Sequence, residues 1–375
     1  MRAASSHLAG LSPTLDFRLH VPQGAARFFP DPGLEARQWP FPEGVRLGGA
    51  SRLAAPIMLW RKLRAFERLC RRIAEAMSDE GCERALVHPS MIVAAPPLIG
   101  FLGIPSVYYC HEFPRHFYEK GVTKTPNRLS ELVVRHVLSR EKRLDRGGFL
   151  AASEVVTNSS YMAPRLEKAY GRRPAIVRPA VDASVFTPRY GGGSGYALSV
   201  GALHPLKGHD LTVRAISLIP RPSRPPLVIV GDRGSRGYAD TIERMAVRLG
   251  VDLAIRVSVP FEELQRLYSS ASVVVCTQKN EPYGFVPLEA MASGRPVVAV
   301  AEGGFVENVA DGETGVLVPR DAGALAAAVS SLLSDHTRCD ALGRAGRAFV
   351  ERERNPATEA EQMLDIILRV RTAGG

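Results

Sequence analysis

Little in this chain is suited to stapling, chelating or spanning. Its five cysteines, at 70, 82, 110, 276 and 339, are an odd count with no close metal-ligand pair among them. That argues against a disulfide framework and fits reduced thiols in a cytoplasmic protein. No Asp-x-Asp motif occurs, so a site that clamps a metal through paired carboxylates has no support, and no metal is expected. The stretch from Met91 to Tyr109 is apolar enough for a membrane span, but Pro96, Pro97, Gly100, Gly103 and Pro105 interrupt it. Helix, turn and strand fit it better. The N-terminus lacks the basic, apolar, small-residue order of a secretory signal. No zinc-finger or RNA-binding signature interleaves the basic residues with aromatics, which argues against nucleic acid as a partner.

What remains is an ordinary α/β composition. The 375 residues predict two domains, and 45% hydrophobic with 23% charged residues excludes general disorder. A net charge of +10 points to phosphorylated ligands or anionic lipid. Residues 1–50 are rich in Pro, Gly and Arg, with one strand expected at Phe17 to Val21. From Pro56, the apolar residues Leu59, Leu63, Phe66, Cys70, Ile73 and Met77 follow one helix face, flanked by Arg61, Lys62, Arg64, Arg68, Arg71 and Arg72. Such a helix either covers a sheet with its charges solvated, the simpler reading, or lies on anionic lipid at the inner membrane face. Strands at Arg84 to Val87, Ser106 to Tyr109 and Glu154 to Thr157 then alternate with a basic helix over Arg128 to Arg146, which implies a parallel, doubly wound sheet.

Gly191-Gly192-Gly193-Ser194-Gly195 has linker composition and places a domain boundary there. The expected domains are residues 1–189, residues 190–354 and a C-terminal helical tail, 355–375. Alternation restarts with strands at Tyr196 to Val200, Pro226 to Val230 and Val273 to Cys276, and helices from Asp210 and from Tyr238 to Leu249. Ligands of such sheets sit at the carboxyl ends of the strands.

At that edge stands Glu281-Pro282-Tyr283-Gly284-Phe285-Val286-Pro287-Leu288-Glu289. The strand before it puts Glu281 in a loop, where its carboxylate could accept hydrogen bonds from sugar hydroxyls. Glu289, in the first turns of the following helix, could accept both hydroxyls of a ribose. Gly284 lets the backbone approach a ligand, and the amides of Phe285 and Val286 can face a diphosphate. Two glutamates alone would equally suit a helix N-terminus. Gly201 ends the first strand of the second half, and Lys207 sits in the turn after it. A lysine there is either a solvated loop residue or a mobile cation within reach of a bound diphosphate.

Five segments together resemble the retaining glycosyltransferases of family 4 (group 1). They are VYYCHEFPR at Val107, VTNSSYMAPRL at Val156, RPAVDASVFTP at Arg178, SVGALHPLKGHD at Ser199, and Glu281 through Val318 with its glycine pair. The resemblance implies a GT-B fold, two Rossmann-like domains facing a cleft, with the terminal helix crossing back to the first. It implies a hexosyl transfer from a nucleotide-diphosphate sugar, which is the donor substrate and not a cofactor. The acceptor would be a glycan, a lipid or a small molecule. Lys207 would neutralise the leaving group, Glu281 and His111 would be catalytic, and Glu112 and Arg115 would lie on the acceptor side. Each of the last three also reads as a structural or surface residue. The implied chemistry is front-face displacement, with the departing phosphate helping to deprotonate the acceptor.

Two features depart from that pattern. Ala202 stands where an arginine usually follows the strand glycine, and Arg233 or Arg178 would have to substitute. The initial strand, glycine loop and helix are not found before His7, so either Met1 is an internal start of a longer chain, the simpler reading, or the first domain lacks its first strand and glycine loop. These departures keep two further classes open: a non-catalytic donor-binding partner of the same fold, and a sugar-nucleotide epimerase or phosphorylase.

Overall fold

Short β-branched runs bounded by turns become parallel strands in both halves of the chain. The computed structural model describes residues 15–23, 35–40, 54–119, 128–190, 195–231 and 236–370. It divides into one unit of Met1–Arg178 with Glu359–Gly375, and a second of Pro179–Thr358.

In the first unit, β1 (Arg18–Pro22) and β2 (Glu35–Trp39) form a parallel pair. They are followed by α1 (Ala54–Asp79), β3 (Ala85–Val87), β4 (Ser106–Cys110), α2 (Arg115–Tyr118), α3 (Arg128–Ala151), β5 (Glu154–Thr157), α4 (Ala163–Tyr170) and β6 (Ala175–Ile176). A four-stranded parallel sheet runs in the order β3-β4-β5-β6. The Met91 to Tyr109 stretch resolves into a 3₁₀ turn at Pro97–Phe101 and then β4. The apolar stripe of α1 turns inward, with Leu63, Phe66 and Cys70 packed with Ile92, Val93 and Val137, as a helix covering a core does. Among the described residues no helix is long and apolar enough to cross a membrane.

The second unit is β7 (Ala197–Val200), α5 (His209–Leu218), β8 (Leu227–Gly231), α6 (Arg236–Leu249), β9 (Leu253–Val257), α7 (Phe261–Ser270), β10 (Val273–Cys276), α8 (Phe285–Ala292), β11 (Val297–Val300), α9 (Phe305–Asn308), β12 (Val316–Val318), α10 (Ala322–Ser334) and α11 (His336–Glu353). Its six parallel strands run β12-β11-β10-β7-β8-β9. The chain builds outward from β7 in one direction, then crosses to β10 and builds outward in the other, the doubly wound order with a switch point between β7 and β10. These two strands pair only at Val273 with Ala197 and Val274 with Leu198, whereas β7 pairs with β8 over four residues.

The boundary falls at Arg178/Pro179, ahead of the glycine tract where composition placed it. The reason is packing. Tyr283 Oη donates to the Pro179 carbonyl at 2.6 Å, Arg347 Nη1 donates to the Phe186 carbonyl at 2.7 Å, and the Phe186 ring meets Tyr268 edge-on. This segment is thereby fastened to the second core. From Glu359 on, α12 (Pro356–Arg369) belongs to the first unit, where Ala360 and Met363 pack with Val107, Tyr109, Val156 and Val177. The alternate residues Tyr108 and Cys110 join Phe149, Leu166 and Tyr170 in a separate cluster, as the two-residue period of a strand requires.

Met363 is 2% exposed, so Met363→Ala should lower the stability of the first unit by about 2–5 kcal/mol. Trp39 and Trp60, the chain's two tryptophans, both lie in that unit. The urea midpoint followed by tryptophan fluorescence should therefore fall, and an unchanged midpoint would contradict this packing.

Candidate active site

The strands that flank the switch point each deliver one charge. After β7, a 3₁₀ turn at Pro205–Lys207 ends at Gly208, whose φ of 71° is left-handed. A β-carbon there would lie 2.1 Å from the Thr277 carbonyl oxygen, so only glycine lets the lysine turn sit against the end of β10. Thr277 Oγ1 donates to the Gly208 carbonyl at 2.9 Å, and the Lys279 amide donates to the Leu206 carbonyl at 2.8 Å. The result is an ion pair: Lys207 Nζ lies 2.8 Å from Glu281 Oε2. The side chains are 31% and 23% exposed, which leaves both groups accessible.

Beyond Glu281, Gly284 precedes α8 with φ 93°, and a β-carbon there would lie 2.6 Å from the Phe305 ring. Phe285 and Val286 open the helix, so their amides are among the unsatisfied donors of its first turn. Gly304, the second of the glycine pair, donates its amide to the Glu281 carbonyl at 2.8 Å. Asn308 Nδ2 donates to the Tyr283 carbonyl at 2.8 Å. Glu289 accepts a 2.6 Å hydrogen bond from Tyr268 Oη through one carboxylate oxygen. Burial raises the Glu289 pKa above the ordinary carboxylate range, and the tyrosine bond works against that shift. Tyr268 is a partner that the sequence reading did not name.

Arg178 donates to Ser160 Oγ at 2.9 Å in the first unit, and Arg233 lies outside the described residues. Gly201 follows β7 directly, its carbonyl 3.1 Å from His209 Nε2.

In the first unit, His111 follows β4 directly and His88 follows β3, adjacent strands in register at Val87 and Tyr108. Their imidazoles stack with centroids 5.6 Å apart, and His88 Nδ1 lies 3.4 Å from His111 Nε2. Asn158 Nδ2 holds the His111 carbonyl at 2.9 Å. Burial pushes the His88 pKa down to about 4 and that of His111, which also faces His88, down to about 3. Both rings are neutral at ordinary pH and able to donate and accept. The signal for His88 was present in the sequence: a histidine immediately after a strand, repeated in the next strand. Arg115 Nε pairs with Glu112 at 2.8 Å, so these two expected acceptor-side residues form one ion pair.

Among the described residues, one group of three potential metal donors is found, His20, Glu80 and Cys82. Glu80 is already engaged by His20 at 3.1 Å and by Arg37, and Trp39 Nε1 donates to His20 Nδ1 at 3.2 Å. That network ties β1 and β2 to the end of α1.

Comparison with solved structures defines the fold. The chain aligns with sucrose-phosphate synthase from Thermosynechococcus elongatus at TM-score 0.72 and 19% identity, covering 96% of this chain and 90% of that one. The fold is that of the GT-B glycosyltransferases. Residues 187–349 match the family model described as glycosyl transferases group 1. The chain is 30% identical over 329 residues to a D-inositol 3-phosphate glycosyltransferase of Segniliparus rotundus, with 80% of this chain and 70% of that protein covered. It is 35% identical over 215 residues to the enzyme of the same name from Thermomonospora curvata, covering 50% of each. The chain belongs to the group 1 glycosyltransferases, and it spans about half the length of most of the curated relatives it matches.

The histidine pair gives a pH dependence. A folded-state value below the ordinary 6.5 means that the unfolded chain binds more protons as pH falls from 6.5 to about 3. The pair thus costs nothing above that window and becomes progressively destabilising through it. The thermal midpoint of the first unit should fall between pH 7 and pH 4, and His88→Asn or His111→Asn should flatten the fall. Parallel curves for wild type and variants would refute the assignment.

Proposed function

We propose that this chain transfers a sugar from a nucleotide-diphosphate donor to a hydroxyl acceptor, with retention at the anomeric carbon. The observation that carries this reading is the 2.8 Å pair of Lys207 and Glu281 at the switch point between β7 and β10. Without donor, each charge compensates the other. An arriving diphosphate competes for the ammonium, while sugar hydroxyls, which need an acceptor, take the carboxylate.

Bond breaking leaves negative charge on the nucleoside diphosphate. Lys207 and the first-turn amides of α8 are suited to hold that charge as it builds, which lowers the barrier directly. The acceptor oxygen forms its bond to the anomeric carbon on the face the diphosphate leaves, and its proton passes to the departing phosphate oxygen. Lysine and amides then do the neutralising that a metal performs elsewhere. Glu289, whose carboxylate accepts from Tyr268, takes the ribose hydroxyls in this reading through its remaining lone pairs. The neutral imidazoles of His88 and His111 offer hydrogen bonds to a sugar or to the acceptor. The names of the relatives favour an inositol phosphate as one acceptor to test.

The test is a panel of UDP- and GDP-linked hexoses, with D-inositol 3-phosphate among the acceptors and product configuration read by NMR. Lys207→Ala and Glu281→Ala should each lower kcat/KM by about 10²–10³-fold. Glu289→Ala should raise the donor KM by roughly ten- to a hundredfold, the loss of a charged hydrogen bond. Donor binding without transfer would favour a non-catalytic partner, the reading that Ala202 keeps open. Rearrangement without acceptor would favour an epimerase. A full panel giving neither binding nor turnover would overturn the proposal.

A further inference from the structure

Glu281 stands in a loop, and its precision has to come from whatever holds that loop. The ends of β11 and β12 supply an arginine and a glutamate that the sequence motifs do not mark. Arg320, two residues past β12, reaches the carboxyl end of β10. It donates Nη1 to the Thr277 carbonyl at 3.0 Å and Nη2 to the Gln278 carbonyl at 2.7 Å. Its Nε lies 2.9 Å and 2.8 Å from the two carboxylate oxygens of Glu302, which follows β11. One guanidinium thus bridges three adjacent strand ends, and its orientation is fixed by a carboxylate.

The two carbonyls it holds belong to buried residues, Thr277 and Gln278. Both also face β7: Thr277 Oγ1 donates to the Gly208 carbonyl, and Gln278 Nε2 donates to the Val200 carbonyl at 2.8 Å. The next residues are fastened in turn, Lys279 by the Leu206 carbonyl and Glu281 by the Gly304 amide. Between them Asn280 adopts φ 52°, a conformation that a non-glycine residue keeps only when its surroundings impose it. Since Glu302 offsets the arginine's charge and three of its nitrogens are engaged, Arg320 is not a free cation for a diphosphate.

We propose that Arg320, oriented by Glu302, is a positioning residue that sets the Glu281 carboxylate against Lys207. It acts through the Thr277 and Gln278 carbonyls and touches neither donor nor acceptor. A group that holds a contacting side chain in place through its backbone is worth roughly ten- to a hundredfold in activity when removed. The activity arm rests on the transferase reading; the labelling arm below does not.

The experiment is a double-mutant cycle of Arg320→Met with Glu281→Ala. In the wild-type background, Arg320→Met should lower kcat about ten- to a hundredfold with little change in donor KM; in the Glu281→Ala background it should change kcat by less than about threefold. Loss of thermal midpoint should be the same in both backgrounds, since stability is not routed through Glu281. A merely structural role would give the same loss of activity in each background and overturns the proposal. Independently of turnover, Lys207 is labelled with an amine-acylating reagent and quantified by mass spectrometry. Breaking its contact with Glu281 should speed acylation in Arg320→Met and in Glu281→Ala, with no further gain in the double variant. Unchanged labelling in Arg320→Met overturns the proposal even if the chain transfers no sugar. Glu302→Gln, which leaves the arginine in place and loosens its orientation, provides the same cycle if Arg320→Met does not fold.

Discussion

The site depends on the short separation of two strands that stop pairing early. β7 and β10 are bonded at Ala197 and Leu198 with Val273 and Val274, and past that point each follows its own neighbour outward. Two loops therefore begin side by side and diverge, which is the geometry that brings Lys207 to Glu281 across 74 residues of sequence. Gly208 and Gly304 let backbone approach backbone on either side of the pair. The doubly wound order is thus the reason a cation and a carboxylate meet at one strand edge.

The two units contribute different chemistry. The second offers compensated charge, an ammonium and a carboxylate 2.8 Å apart. The first offers neutral imidazoles, held uncharged by burial and, for His111, also by His88. A phosphate needs a cation, whereas a hydroxyl needs groups that donate and accept without carrying charge into a partly dry site.

Much of this was legible because it is local. Runs such as Val273-Val274-Val275-Cys276 announce buried parallel strands, and the position of Glu281 follows from where that strand must end. β2, with the sequence Glu35-Ala36-Arg37-Gln38-Trp39, lacks an apolar run, and in β9 Arg256 interrupts one, so the sequence pattern marks neither. Glycine composition marks a permissive chain, whereas the division into compact units follows packing and falls at Arg178/Pro179: Pro179 and Phe186 are bonded to the second core. Tyr268 and Arg320 were invisible for a related reason. Their partners are brought to them by sheet order alone, and the sequence around each carries no motif.

The Lys207–Glu281 pair cannot be explained as a stabiliser. Partly exposed ion pairs contribute roughly 0–1 kcal/mol, because the gain in attraction is offset by screening and by the entropy of holding two long side chains. Yet the loops beneath it are fixed by hydrogen bonds donated by Thr277, Gln278 and Lys279 and one accepted by the Glu281 carbonyl, and by a left-handed Asn280. Such ordering costs conformational entropy that the salt bridge alone does not return. A geometry maintained at the expense of its surroundings, and not by its own strength, is what a binding site requires and what a surface ion pair does not. The same reasoning separates this pair from Arg369 and Asp365 on α12, which are exposed and four residues apart on one helix.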